Sequence, residues 1–322
     1  MVIQVLLELS ARRLAQDSEP GQDSDNIFWY PCGMKHAAQQ LTGILAATLC
    51  SLLLMLGALP MTSAPANGPQ QPFRVIGNVY YVGDSDVTSF LIVTPEGNFL
   101  IDGGYIATAP RIEQNIRKLG FRLKDVKILL NTHAHLDHAG GLAQLKRDTG
   151  AKFEAMAGDA PVLAHGGRGY FYFNNAFPAI KPDRILHDGD VVALGGEKLR
   201  AVLTAGHTKG CTTWTWTVRD RGKDYHVVDV CSTTVLPGYR LVKNPTYPGI
   251  AQDYIRTFQR LKSLPCDVFL GAHGSFFSLQ EKIRRIGQNP NPFIDPEGYR
   301  RYVDASEAQF EEKLKSQEKS RL

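Results

Sequence analysis

The sequence predicts an α/β protein built in layers, with sheets at the centre and helices outside them. Runs of β-favouring residues alternate with amphipathic helical patterns in both halves of the chain, and the polar residues gather in short loops where strands end. Size supports this, because 322 residues at 43% apolar composition can bury a full hydrophobic core. No stretch after residue 72 has the composition of a long flexible linker, so residues 72–322 read as one domain.

The elements follow in order. "FRVIGNVYYVGDSDVTSFLIVTPEGNFLIDGG" places turn signals at Gly77-Asn78, Gly83-Asp84 and Pro95 to Asn98 between β-favouring runs, which predicts a meander of antiparallel strands. "TAPRIEQNIRKLGF" predicts a helix: Thr108 as its cap, Pro110 in the first turn, Ile112 and Ile116 on one face, Gly120 as the stop. "VKILLNT" is a short apolar strand, and "GGLAQLKRDTG" a second helix. Further strands are "EKLRAVLTAGHTKGCTTWTWTV", "YHVVDVCST" and "CDVFLGAHGSF"; "GIAQDYIRTFQRLKSLP" is an amphipathic helix, and "YVDASEAQFEEKLKSQEKSRL" reads as a charged, solvated one.

Residues 34–64 read as a secretory signal, with Lys35 ahead of an apolar run from Leu41 to Leu59 and small residues at Thr62, Ala64 and Ala66 for cleavage. The acidic residues 1–33 are then an upstream extension. The alternative is an uncleaved anchor, because the run from Leu41 to Leu59 could just span a bilayer. The expected location is the periplasm or the medium, with no stable membrane association after cleavage. Without residues 1–63 the chain keeps 33 of its 36 Lys and Arg and 27 of its 32 Asp and Glu, a balance of +6 spread along the sequence. No basic stripe or aromatic-basic groove points to nucleic acid, and the expected assembly is a monomer. Cys211, Cys231 and Cys266 are odd in number and include no short-spaced pair, so no disulfide framework is expected, although one pair remains open.

The most informative stretch is "NTHAHLDHAGG", Asn131 to Gly141, which holds three of the nine histidines beside an aspartate in a strand-to-helix loop. Solvated or core histidines have no reason to crowd, whereas imidazole and carboxylate are zinc ligands, and a loop bearing His133, His135, Asp137 and His138 can present them to two sides. A metal site needs ligands from elsewhere in the fold. His207 in "TAGHTKG" and His273 in "LGAHGSF" are isolated histidines beside glycine at strand ends. His165, His187 and His226 read as ordinary structural histidines.

"HAHLDHAGG", "GHTKG" and "GAH", in that order, resemble the metallo-β-lactamase superfamily over about residues 72–320. "PGYRLVKNPTYPGIAQDYIRTFQRLKSLPCDVFLGAH" resembles its all-histidine β-lactamases, subclass B3. The resemblance implies a four-layer αββα sandwich and two Zn²⁺ ions, the first on His133, His135 and His207, the second on Asp137, His138 and His273. It implies that Asp137 also orients a metal-held hydroxide, that Asp102 in "FLIDGG" orients a ligating imidazole, that Ser232 and Thr234 hold the substrate carboxylate, and that Tyr239 donates to the oxyanion. The slot of the superfamily's bridging aspartate reads Cys231, with Asp229 two residues before it; either as a ligand stays open. Cys266 resembles a cysteine that some relatives pair near the C-terminus, but no cysteine follows it, so that bridge is not expected.

The expected activity is hydrolysis of the β-lactam amide in penicillins, cephalosporins and carbapenems, a small-molecule substrate. The alternatives are a lactonase, thioesterase or phosphodiesterase on the same scaffold, and a zinc-binding protein without catalysis. "HGGRGYFYFNNAF", residues 165–177, is expected to wall the site as a mobile loop or to pack its aromatics inward.

Overall fold

The computed structural model describes residues 67–168 and 176–320, whose twelve strands form two sheets. In the first, β1 (Phe73–Ile76), β2 (Val79–Tyr81), β3 (Phe90–Thr94) and β4 (Gly97–Ile101) run as the antiparallel meander that the turn signals predict. β5 (Val126–Leu130), β6 (Lys152–Met156) and β7 (Arg184–Leu186) then add in parallel. The second sheet, in the order β12-β11-β10-β9-β8, comprises β8 (Val191–Leu194), β9 (Glu197–Leu203), β10 (Thr212–Asp220), β11 (Lys223–Val230) and β12 (Val268–Gly271). All its pairs are antiparallel except β11 with β12.

Alternation along the strands explains why the sheets stack. Phe90 and Ile92 of β3, Phe99 and Ile101 of β4, and Ile128 and Leu130 of β5 face the core shared with Trp214, Trp216 and Val218 of β10. Leu91, Leu100 and Leu129, one residue out of phase, face the other way. There they meet Ala109, Ile112 and Ile116 of α1 (Ala109–Lys118) and Leu142 and Leu145 of α3 (Leu142–Thr149). A sheet covered on both faces must be apolar on both, which is how β3 to β5 read. Each buried Leu, Ile or Phe contributes about 1.5–3 kcal/mol relative to an exposed one. On the second sheet, Tyr254 and Phe258 of α5 (Ile250–Ser263) stack on Phe310 of α7 (Pro296–Lys319), and Tyr299 of α7 packs edge-on against Phe269 of β12. The result is the four-layer αββα sandwich. Three short helices complete it: α2 (Leu136–Ala139), α4 (Ala160–Ala164) and α6 (Leu279–Ile283).

Several expectations need correction. Thr108 precedes α1 but does not cap it with its side chain; its hydroxyl donates instead to Asp84, a buried carboxylate that also takes both arms of Arg111. The C-terminal helix is not wholly solvated. It begins earlier, at Pro296 with Asp295 accepting from the Gly298 amide, and buries Tyr299, Val303 and Phe310. The strands β6, β7 and β8 are additions to the predicted set; β8 lies between the turn pairs Asp188-Gly189 and Gly195-Gly196. The one cysteine pair that the sequence leaves open is formed by Cys211 and Cys231, with their Cα atoms 5.9 Å apart, and Cys266 is a free thiol. The expected signal at 34–64 and the extension before it lie outside the described residues, as do 169–175 of the expected wall; Phe177, at its far edge, packs into the core under α1 and α3. Among the described residues, no helix is long and apolar enough to cross a membrane.

Candidate metal centre

The site lies where strands of both sheets end. β5 delivers the chain into Asn131 and Thr132, and the next six residues carry His133, His135, Asp137 and His138, the last two on the single turn of α2. His207 follows β9, and His273 follows β12. Helix α3 can start close behind this loop because residue 141 is glycine: a Cβ there would fall 2.2 Å from the Gly103 carbonyl oxygen.

Four of the histidines have one ring nitrogen committed to an orienting partner. Asp102, buried and in a left-handed backbone conformation at φ 62°, accepts from Asn131 Nδ2 at 2.9 Å, the Thr132 amide at 2.7 Å and the Thr132 hydroxyl at 2.6 Å. Its Oδ2 also takes the Nδ1 proton of His138 at 3.1 Å. Because the Thr132 hydroxyl donates to Asp102, its oxygen is left to accept from His133 Nδ1 at 3.1 Å. One carboxylate therefore orients two imidazoles, one directly and one through a threonine. His207 Nδ1 donates to the Thr234 carbonyl at 2.7 Å, and His273 Nδ1 to Asp86 Oδ2 at 2.9 Å. All four thus present Nε2 as a lone pair, as metal-ligating histidines do.

Those lone pairs converge. Asp137 Oδ2 lies 3.2 Å from His138 Nε2 and 3.5 Å from His273 Nε2, and the two imidazole nitrogens are 3.2 Å apart. Zinc with bonds of about 2.0–2.1 Å in tetrahedral geometry separates its ligands by about 3.3–3.4 Å, so this triangle fits a divalent cation. The ligand atoms of His133, His135 and His207 also lie within 4.8 Å of one another. Among the described residues His133 Nε2 is buried and has no hydrogen-bond partner, the condition expected of an atom that ligates a metal.

Electrostatics agrees. Burial, followed by the mutual repulsion of neighbouring imidazoles, pushes the pKa values of His133 and His135 well down, and burial pushes His207 down to about 4. These rings are neutral at pH 7, as coordination requires. Burial also opposes charge on His138, but Asp137 and Asp102 outweigh it and raise its pKa. Burial raises the Asp137 carboxyl, and His138 and His273 overcome that and lower it strongly.

Asp159 ties the two histidine loops together. Buried, it accepts from the Ala134 amide at 2.9 Å, between His133 and His135, and from the Thr208 hydroxyl and Gly210 amide, each at 2.7 Å, beside His207. Burial raises its pKa to about 6 against those hydrogen bonds. Neither Asp159 nor Asp86 stands out in the sequence.

The cleft has a volume of about 510 Å³ and is lined by His135, Asp137, His207 and His273 together with Ser232 and Thr234. Tyr105, Leu136, Leu236 and Phe276 supply apolar surface. Tyr239 does not line it: this residue is buried and its hydroxyl donates to the His207 backbone carbonyl at 2.7 Å, so it braces a ligand loop rather than facing the cleft. The Cys231 sulfur, bonded to Cys211, lies behind the Thr132 carbonyl and is not available as a thiolate ligand. Asp229 is fully buried and belongs to no ligand cluster among the described residues; burial and Asp102 push its pKa well up. His165, His187 and His226 are exposed and apart from the site.

Comparison with known proteins agrees with this geometry. The pattern describing the metallo-beta-lactamase superfamily matches residues 82–220. The native FEZ-1 metallo-beta-lactamase from Legionella gormanii is 47% identical with a TM-score of 0.77, over 79% of this chain and 99% of that one. The class B3 di-zinc metallo-beta-lactamase LRA-12 from an Alaskan soil metagenome is 38% identical with a TM-score of 0.74, over 79% and 98%. A probable metallo-hydrolase of Burkholderia pseudomallei is 29% identical over 174 residues, 49% of this chain and 54% of that protein. The chain spans between about a quarter and about half the length of the curated relatives it matches first. With its ligand loops, its two stacked sheets and these relatives in agreement, the chain belongs to the metallo-β-lactamase superfamily.

Proposed function

We propose that the protein is a zinc-dependent β-lactamase of the subclass B3 type, which opens the cyclic amide of penicillins, cephalosporins and carbapenems with two zinc ions. The observation that carries this reading is the pair of adjacent ligand sets, one of three histidines and one of Asp137, His138 and His273, opening on a single cleft. Zinc bound there would supply a water of lowered pKa and a Lewis acid for the amide carbonyl. The residues of this chain do the rest. Asp137, ionised and at the cleft wall, accepts a hydrogen bond from the attacking water and fixes its direction. Ser232 and Thr234 offer hydroxyl donors to the substrate carboxylate, and Leu136, Leu236 and Phe276 pack against its apolar parts. Asp102, Thr132 and Asp159 hold the ligand loops before substrate arrives, so little reorganisation remains for the reaction.

We also propose export through the signal at residues 34–64; the Cys211–Cys231 disulfide supports an oxidising destination. The second reading, a different hydrolase on this scaffold, takes its support from the Burkholderia relative, which is described only as a metallo-hydrolase. Initial rates on nitrocefin and meropenem against an acyl-homoserine lactone separate the two. Turnover of the β-lactams, abolished by EDTA and restored by zinc, is expected; lactone turnover without β-lactam turnover would reject the first reading for the second.

A further inference from the structure

Asp86 lies in the loop between β2 and β3 of the first sheet, yet its side chain serves a residue of the second. Its Oδ2 takes the Nδ1 proton of His273 at 2.9 Å, and its Oδ1 accepts from the Ser275 amide at 2.8 Å. The Gly274 amide donates to its carbonyl at 2.6 Å, so three consecutive residues after β12 are fastened to this one. The loop is itself secured. Asn67 Oδ1 accepts from the amides of Asp86 and Val87, at 3.3 and 3.0 Å. Thr88 donates to the Ala272 carbonyl through its amide and to the Gly271 carbonyl through its hydroxyl, at 3.1 and 2.8 Å.

A neutral imidazole can carry its proton on either nitrogen, and only one tautomer leaves Nε2 free to ligate. In His273 the acceptor that selects this tautomer, and with it the ring plane, is the Asp86 carboxylate. The other ligands are oriented differently: His207 by a main-chain carbonyl, and His133 and His138 by the Asp102 and Thr132 pair. We propose that Asp86 is the positioning residue of the second ligand set: by holding His273 with Nε2 toward Asp137 and His138, it sets the affinity for the second cation separately from the first. The inference rests on the two-ion reading above.

The test uses Asp86→Asn, with Thr88→Val as a variant that removes a neighbouring contact of the same loop without touching His273. An asparagine keeps an acceptor for Ser275 but turns an N–H toward His273 Nδ1, which favours the opposite tautomer. Zinc titration of the metal-free proteins by calorimetry and competition with a chelator reads the two affinities. Nitrogen-15 spectra of histidine-labelled, metal-free protein at alkaline pH read the tautomer of His273. In Asp86→Asn the second affinity should fall about 10- to 100-fold, the range for outer partners of ligating histidines, with the first unchanged and the His273 proton moved to Nε2. Thr88→Val should behave as the native protein does. Native affinities and an unmoved tautomer in Asp86→Asn would overturn the proposal, and so would equal weakening of both ions in both variants, which would mark the loop as merely structural. A native protein that takes up only one zinc, or none, overturns the two-ion reading itself, and the inference with it.

Discussion

Replacing Asp159 with alanine removes the acceptor shared by the Ala134 amide, the Thr208 hydroxyl and the Gly210 amide, all in a buried place. Each donor left without a partner costs about 1–3 kcal/mol. Against that, the variant no longer buries a carboxylate. A folded pKa raised to about 6, compared with about 3.9 unfolded, corresponds to about 3 kcal/mol of ionisation penalty at neutral pH. The net loss at pH 7 is therefore between about 0 and 6 kcal/mol. The pH dependence is more discriminating. Because the folded pKa is raised, the stability this group contributes is complete below about pH 4 and is lost as pH rises through about 6. Between pH 5 and 7 the native protein should lose about 1.3 kcal/mol that the alanine variant does not. Urea unfolding of both proteins in EDTA, followed by tryptophan fluorescence at the two pH values, measures the gap. It should be wider at pH 5; a gap that is constant, or wider at pH 7, would refute the assignment of a desolvated carboxylate to this position.

Three further predictions concern other parts of the molecule. Converting Cys211 and Cys231 together to serine removes a cross-link over a sequence separation of 20 and should cost about 3 kcal/mol of unfolding free energy in urea titrations. Zinc uptake should persist in that variant, whereas loss of an ion would return Cys231 to the ligand set. Burial pushes the Cys266 thiol up to about 12, so iodoacetamide at pH 8 should label it slowly in native protein and quickly in urea, with peptide mapping as the readout; fast native labelling would contradict its burial. Asp137→Ala should retain the ion on His133, His135 and His207 and lose the other, with β-lactam turnover down by at least about 10²-fold. Metal analysis after dialysis decides the first part and initial rates the second.

The candidate ligand cluster is legible because crowding histidines in a strand-end loop has no structural purpose, and the alternation of strand and helix patterns along the chain announces central sheets with helices outside. What escaped depends on contacts remote in sequence. Asp86 finds His273 187 residues away, and Asp159 meets Ala134, Thr208 and Gly210; alone in the sequence, each looks like a turn aspartate. The disulfide follows from register, since pairing Trp214 with Asp229 across the β10–β11 hairpin carries Cys231 to the start of β10, next to Cys211. A spacing of 20 reveals nothing until that hairpin is drawn. Tyr239 is read from resemblance alone, and the contact its hydroxyl makes, to the His207 backbone carbonyl 32 residues earlier, leaves no mark in the sequence. The C-terminal helix was misjudged because its charges outnumber the apolar stripe of Tyr299, Val303 and Phe310.

The most direct measurement titrates zinc into the metal-free protein while following meropenem hydrolysis and counting bound ions in the same samples. Hydrolysis should be absent at the start and rise with zinc to a plateau at two ions per chain. Hydrolysis that continues in the stripped protein, or full zinc loading with no β-lactam opened, would contradict the account.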